Sequence, residues 1–109
     1  MNQITFYTEE GKEMFLTERS GIVRLTFPNN FKHLCFISTL IVDICQRERG
    51  IGTQLLKHAE HVAKCEKCTQ VTLEVDKTSW LKDWYLKNGY SVVALGYQEN
   101  HVLVTKSLL

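Results

Sequence analysis

Apolar and polar residues alternate over short stretches of the chain, and helical spacing replaces this alternation in two places. Alternating stretches rich in β-branched and aromatic residues predict β-strands. The expected strands cover residues 4–7, 14–16, 22–27, 33–42, 70–75, 90–94 and 102–106. Helical spacing predicts one helix from Thr53 to about Glu66 and a second that ends at Lys87. The pattern therefore predicts an α/β fold with two main helices.

The first helix has one apolar stripe and lies between two strands. The residues of this stripe are Ile51, Leu55, Leu56, Ala59, Val62 and Ala63. A strand, a helix and a strand in this order form a crossover, so strands 34–42 and 71–75 should run parallel. The first three strands form an antiparallel meander, because only short turns join them. The expected sheet is mixed and largely antiparallel, with a parallel central pair.

The second helix has recognisable ends. Thr78 or Ser79 can cap its start, because a hydroxyl oxygen there accepts a hydrogen bond from a free backbone N–H. Asn88 and Gly89 end it, with Gly89 expected in the left-handed conformation. The last two strands then form a hairpin whose edge strand is exposed. Such an edge can pair with another chain and favours a homodimer.

Length and charge limit the class of function. The 109 residues are enough for a single domain, 1–109, with one core. Thirteen basic and twelve acidic residues give a net charge of +1, which favours neither nucleic acid nor a membrane surface as the main ligand. No apolar run is long enough to span a bilayer, and residues 1–4 show no secretory signal. We expect a cytoplasmic protein with reduced cysteines.

A glycine-containing turn, residues 46–53, joins the long fourth strand to the first helix. A helix that begins at such a turn leaves several backbone N–H groups unpaired, and its dipole is positive there. These two features together favour binding of phosphate. Arg47 and Arg49 add positive charge that can pair with phosphate. The turn therefore predicts a phosphate-bearing ligand.

The spacing Arg47-x-x-Gly50-x-Gly52 resembles motif A of the GCN5-related N-acetyltransferases (GNATs), which is their pyrophosphate loop for acetyl-CoA. The strand segment Leu40-Ile41-Val42 looks like the one that precedes this loop in the family. The segment Trp84–Tyr90 is similar to the family's aromatic-Tyr-x-x-x-Gly-aromatic segment. The resemblance covers roughly residues 36–95. It implies a GNAT-type acyl-CoA N-acyltransferase fold, with the parallel central strands splayed apart.

The resemblance also implies a co-substrate and its contacts. Acetyl-CoA would be anchored by backbone N–H groups along the loop, and its pantetheine arm would follow the backbone of the preceding strand. The cofactor-binding residues it implies are Leu40, Ile41, Val42, Arg47, Glu48, Arg49, Gly50, Ile51, Gly52 and Thr53. The family's Asn before the second helix is missing, and Thr78 or Ser79 can take its place, with Thr78 counted among the cofactor-binding residues. The acetyl group would move directly to a primary amine, of a small molecule or a protein, in a ternary complex.

Two residues are candidates for the catalytic proton transfers. Tyr85 matches the family's tyrosine that protonates the departing thiolate, although a helical aromatic can equally pack with Trp84 and Leu81. Glu74 is a nearby carboxylate for the general base, and alternation places it opposite Leu73. A solvated Glu74, or a relay of water molecules without a dedicated base, fits the sequence as well.

A rival pattern consists of His58, His61, Cys65 and Cys68, which recur at helical spacing. A tetrahedral zinc site needs four ligands that converge on one point, and one straight helix offers only neighbouring pairs. The C-x-x-C also stands at the end of the helix, where the dipole does not lower a thiol pKa. We expect neither a metal site nor a redox pair here.

The family's usual first two helices have no counterpart between the first two strands, where only a turn near Gly11 fits. This absence indicates a cleft that is open to a large acceptor or completed by a second subunit. A non-catalytic CoA-binding module with a regulatory or inhibitory role is the alternative to an enzyme. A structural protein without CoA is a third hypothesis, since a fold alone does not fix a function.

Overall fold

The computed structural model describes residues 2–43 and 50–109. Within these residues the chain forms a seven-stranded sheet in the order β1-β2-β3-β4-β5-β7-β6. The strands are β1 (Asn2–Thr8), β2 (Gly11–Glu18), β3 (Gly21–Pro28), β4 (Leu34–Val42), β5 (Gln70–Asp76), β6 (Ser91–Leu95) and β7 (His101–Ser107). The helices are α1 (Ile51–Cys65) and α2 (Trp80–Lys87). Each predicted strand and helix is present, and the boundaries move by no more than a few residues.

The pairing confirms a mixed, largely antiparallel sheet. Strands β4 and β5 run parallel, as expected for strands joined through a helix, and the other neighbouring pairs are antiparallel. The connection between β1 and β2 is a turn at Glu9 and Glu10, so no helix is inserted there. This agrees with the interpretation that the usual first two helices are missing.

The core lies between the sheet and the two helices. All six residues of the apolar stripe on α1 are buried against alternate residues of β2, β3, β4 and β5. Leu81 and Trp84 of α2 pack against the same core, so both helices cover one face of the sheet. The opposite face, which we call the open face, is covered by no helix among the described residues. No described helix is long and apolar enough to span a membrane.

Local signals in the sequence fix the ends of both helices. Gly50 precedes α1 with a φ of 75°, a left-handed conformation that glycine adopts without steric cost. The Ser79 hydroxyl accepts a hydrogen bond from the Leu81 N–H at 3.1 Å and caps α2. Gly89 follows α2 with a φ of 96°, as the sequence predicts.

Candidate functional site

Strands β4 and β5 separate partway along their length. Their parallel pairing joins residues 34–37 to residues 70–73 and then stops, although β4 continues to Val42 and β5 to Asp76. On its other side β4 stays paired with β3, but Ser38 is an extra residue there, because Ile37 pairs with Leu25 and Thr39 with Arg24. A bulge of this kind bends a strand away from its neighbour. The expected splay of the central pair is therefore confirmed.

The beginning of α1 faces this opening with free backbone donors. The first helical bond runs from the Gln54 N–H to the Gly50 carbonyl at 3.0 Å. The N–H groups of Ile51, Gly52 and Thr53 therefore have no partner within the helix. The first turn of α1 contains no acidic residue, so nothing in it opposes the binding of an anion. The predicted loop residues Arg47, Glu48 and Arg49 lie outside the described residues.

A cavity of about 510 Å³ lies between the end of β4 and the starts of both helices. The residues that line it are Leu40, Ile41, Val42, Gly50, Gly52, Thr53, Trp80, Leu81 and Trp84. The structure thus brings together six of the predicted cofactor-binding residues. A Cβ at Gly52 would lie 3.7 Å from both Trp84 and Val42, so this glycine stands at the point where α1, α2 and β4 meet.

Two residues that line the cavity, Trp80 and Trp84, are not among the binding residues expected from the sequence. Trp80 is exposed and Trp84 is partly buried, and both present an aromatic surface toward the opening. Their spacing of four residues on α2 places them on one side of that helix, and this was the available signal. Aromatic walls beside free N–H groups suit a ligand with an anionic part and an apolar part.

Tyr85 lies behind the cavity and is not part of its lining. Its side chain is 5% exposed and makes edge-to-face contacts with Trp84, at 4.9 Å between ring centroids, and with Tyr90, at 5.5 Å. Burial raises the pKa of Tyr85 to about 12. The phenol is therefore a proton donor at neutral pH. The packing with Trp84 agrees with the structural alternative, but it does not exclude proton donation.

Glu74 follows the last β5 residue that is paired with β4, and it lies on the open face. The alternative of a solvated Glu74 does not hold, since its side chain is only 14% exposed. The Gln98 N–H donates to its Oε2 at 2.8 Å, and the Nδ1 of His101 lies 3.7 Å from the same oxygen. A Cβ at Gly96 would overlap this oxygen, so the loop between β6 and β7 closes tightly over Glu74.

Thr78 is not part of the cavity lining. Its hydroxyl and its backbone N–H both donate to Oδ1 of Asp76, at 2.7 and 2.8 Å. These bonds lower the pKa of the Asp76 carboxyl, because they stabilise its charged form. The hydroxyl thus holds the end of β5 in shape. A contact between Thr78 and a ligand stays a prediction.

The residues of the rival metal pattern have separate surroundings. Cys65 is exposed, and its Sγ lies 3.6 Å from the Nε2 of His61. Cys68 is buried, and its thiol donates to the carbonyl oxygen of Lys32 at 3.8 Å. The Cys65 thiol faces solvent while the Cys68 thiol faces the protein, so these two thiols do not converge on one point.

A family model described as an acetyltransferase (GNAT) domain matches residues 2–92. Comparison with curated protein sequences gives no match. Among solved structures, the chain resembles an acetyltransferase from Bacillus cereus ATCC 14579 with 24% identity and a TM-score of 0.70, covering 97% of this chain and 71% of that one. It also resembles an acetyltransferase of the GNAT family from Staphylococcus aureus Mu50.

The Staphylococcus protein is 18% identical, with a TM-score of 0.74 and coverage of 94% of this chain and 72% of that one. Ard1 from Thermoplasma volcanium is 20% identical, with a TM-score of 0.75 and coverage of 89% and 70%. At such identities these structures establish the fold alone. The family model spans most of the chain, and its match therefore indicates the family as well as the fold.

Proposed function

This chain belongs to the GNAT acetyltransferase family, and from that premise we propose that it transfers acetyl directly to a primary amine in a ternary complex. It is an N-acetyltransferase, and acetyl-CoA is its co-substrate. The observation that carries the proposal is the divergence of β4 and β5 beside the free N–H groups at the start of α1. Both substrates can meet in that opening, as a ternary complex requires.

The lining of the cavity supports one placement of acetyl-CoA. Its pyrophosphate would accept hydrogen bonds from the N–H groups of residues 51–53 and from the backbone N–H of Glu48, helped by the α1 dipole and by the charges of Arg47 and Arg49. Its pantetheine arm would follow the backbone of β4 at residues 40–42, which lie beyond the last β4 residue that pairs with β5. The apolar side of the cavity is formed by Trp80, Leu81 and Trp84.

The chemistry requires two proton transfers. The amine loses a proton, and its nitrogen lone pair then forms a bond to the thioester carbon. The carbon–sulfur bond breaks with its electron pair on sulfur, and the thiolate takes a proton. Tyr85 is the proposed donor to the thiolate. Glu74 is the proposed general base that accepts the amine proton. It is the first β5 residue beyond those that pair with β4.

The acceptor would approach from the open face. The helices and the cavity occupy the other face, while Glu74 lies on the open one. Since no described helix covers this face, it leaves room for a large acceptor such as a protein amine. A small amine fits the same opening, so acceptors of both sizes belong in the assay.

A homodimer forms part of the proposal because β6 is an unprotected edge. All five residues of Ser91–Leu95 are exposed, and none is charged or a proline. Their unpaired backbone groups can form an antiparallel pair with the same strand of a second copy. A non-catalytic CoA-binding module is the alternative function, and the buried position of Tyr85 behind the cavity favours it.

Initial rates measured over a grid of acetyl-CoA and amine concentrations test the transfer mechanism. The acceptor panel contains lysine peptides, peptides with free N-termini, polyamines and amino sugars. We expect intersecting double-reciprocal lines and no acetylated protein after incubation with acetyl-CoA alone. Parallel lines with a stable acetyl-enzyme would contradict direct transfer. Acetyl-CoA binding without turnover of any amine would favour the non-catalytic module.

A further inference from the structure

His101 faces Glu74 on the open face of the sheet. It pairs with Asp76 across β5 and β7, and this register places its ring diagonally opposite Glu74. We infer that His101 is the catalytic base that accepts the proton of the amine, and that Glu74 is the residue that positions it. This inference rests on the proposed function, and it changes the role of Glu74 from proton acceptor to positioning residue.

The geometry favours His101 as the base. Glu74 Oε2 already accepts the Gln98 N–H at 2.8 Å, and Gly96 closes over the same oxygen. A carboxylate held in this way has limited room for a substrate ammonium. The His101 side chain is 24% exposed, so part of its ring stays open to solvent and to an acceptor.

The Nδ1 atom of His101 makes no hydrogen bond to the described residues. Nδ1 is buried and is the one buried side-chain nitrogen or oxygen without a hydrogen bond among the described residues. The nearest acidic oxygen, Oε2 of Glu74, lies 3.7 Å away. An approach of these two atoms by roughly 0.7 Å would bring them to hydrogen-bond distance. Burying Nδ1 without a partner costs free energy, so the pair gains from closing.

The closed pair fixes the tautomer of the imidazole. If Nδ1 carries the proton and donates to Glu74, Nε2 keeps a lone pair and can accept a proton. The N–H bond of the ammonium then breaks as an N–H bond forms at Nε2. The amine nitrogen keeps its electron pair for attack on the thioester carbon. The resulting imidazolium is stabilised by the Glu74 carboxylate, as in carboxylate–histidine pairs of hydrolases.

Two other charged groups, Asp76 and Lys77, lie near the pair. Asp76 lies opposite His101 in the register, and the positive form of His101 lowers the pKa of Asp76. The neighbouring Lys77 also lowers the pKa of Asp76, and both effects are smaller than that of the Thr78 hydrogen bonds. The carboxylates of Glu74 and Asp76 and the ammonium of Lys77 are therefore the charged groups beside the imidazole.

Kinetics of His101→Gln test the role in catalysis. We expect kcat/KM for the amine to fall about 10²-fold or more, with the affinity for acetyl-CoA unchanged. The rise of wild-type activity between about pH 5 and 8, where histidines change charge, should disappear in the variant. Added imidazole should restore part of the activity of His101→Ala. His61→Gln on the exposed side of α1 is the matched control and should keep wild-type kinetics.

A second readout works without turnover. Nitrogen-15 spectra of the imidazole should show the proton of His101 on Nδ1 in the wild type, and a change of this signal in Glu74→Gln. A proton on Nε2, or unchanged kinetics in His101→Gln, would overturn the inference. If no amine is acetylated while the spectra show the Nδ1–H form, the proposed function fails and the Glu74–His101 pair stands as a structural feature.

Discussion

Tyr85 combines deep burial with a position that the sequence motif assigns to catalysis. Its ring lies between those of Trp84 and Tyr90, on the core side of α2. The contact with Tyr90 follows from the left-handed Gly89, which turns the chain back beneath the helix. A proton donor that is rigidly packed needs no reorganisation when the thiolate forms.

We expect Tyr85→Phe to lower kcat by about 10²-fold, because the ring remains while the proton donor is lost. The affinity for acetyl-CoA should stay at the wild-type value, since this residue does not line the cavity. Tyr90→Phe is the matched control, because Tyr90 donates to Glu60 at 2.9 Å and has no proposed role in transfer. Equal effects of the two variants in steady-state assays would show that packing alone is involved.

The same phenol should make stability depend on pH on the alkaline side. The pKa of Tyr85 rises on folding from 10.0 to about 12, because burial disfavours the phenolate. The contribution of this phenol to the free energy of unfolding is fully present below pH 10 and is lost as the pH rises toward 12. Urea unfolding at pH 8 and pH 11 should show a smaller loss of unfolding free energy for Tyr85→Phe than for the wild type. An identical loss would contradict this cause.

At the residue scale, the sequence indicates which positions are candidates for the site but not what surrounds them. Leu40, Val42, Gly50 and Gly52 are candidates because their strand, turn and helix resemble the corresponding segments of the family. The partners of Glu74 could not, because they depend on the register between β5 and β7, which alternation does not determine.

At the scale of secondary-structure elements, α1 packs closely on Gly21, the first residue of β3. This contact sets the position of the helix. A Cβ at Gly21 would lie 2.5 Å from Leu55 Cδ1 and 3.1 Å from Ile51 Cγ2, and both leucine and isoleucine are buried. The absence of a side chain at this point lets the first turns of α1 rest on the sheet. The free N–H groups are thereby held beside the opening between β4 and β5.

Gly21→Ala should therefore disturb both stability and binding. We expect a loss of about 1–3 kcal/mol in unfolding free energy, typical of an overpacked core, and weaker binding of acetyl-CoA. Gly50→Ala is the comparison, because no atom of the described residues, its chain neighbours aside, lies within 4 Å of the added Cβ, while its left-handed φ opposes the change. Denaturant unfolding and calorimetry should separate the two. An unperturbed Gly21→Ala protein would contradict this account of the packing.

The sequence predicts the elements themselves well and their irregularities poorly. The stripe from Ile51 to Ala63 and the caps of α2 are local signals, and the structure confirms them. The extra residue at Ser38 in β4 is not visible in the sequence, because one inserted residue in an apolar strand leaves the composition unchanged. The splay could be expected only through the resemblance to a family.

At the scale of the whole molecule, the sheet has an exposed strand at each of its two edges. Strand β1 pairs with β2 and carries exposed Ile4, while β6 closes the opposite end and carries exposed Val93. Both strands lack charged residues, which are a common protection against association. Strand β6 belongs to the hairpin that contains His101 in β7, so pairing there would place two sites near one interface.

Val93→Lys should convert the proposed homodimer to a monomer, because a charge on an exposed edge strand opposes pairing. Ile4→Lys is the matched control, since its side chain is exposed to a similar extent, 62% against 56%. Sedimentation velocity at several protein concentrations measures the result. A wild-type monomer at every concentration, or a dimer that only Ile4→Lys disrupts, would contradict the β6 interface.

The most direct test is a calorimetric titration of the wild-type protein and of Gly52→Asp with acetyl-CoA. Gly52→Ala is the control, because its methyl group makes only ordinary contacts with Trp84 and Val42. We expect the wild type to bind at micromolar concentrations and Gly52→Asp not to bind, since a carboxylate beside the free N–H groups repels pyrophosphate. Gly52→Ala should keep measurable affinity. Absence of wild-type binding at millimolar acetyl-CoA, or equal affinity in Gly52→Asp, would contradict an acetyl-CoA site at the start of α1.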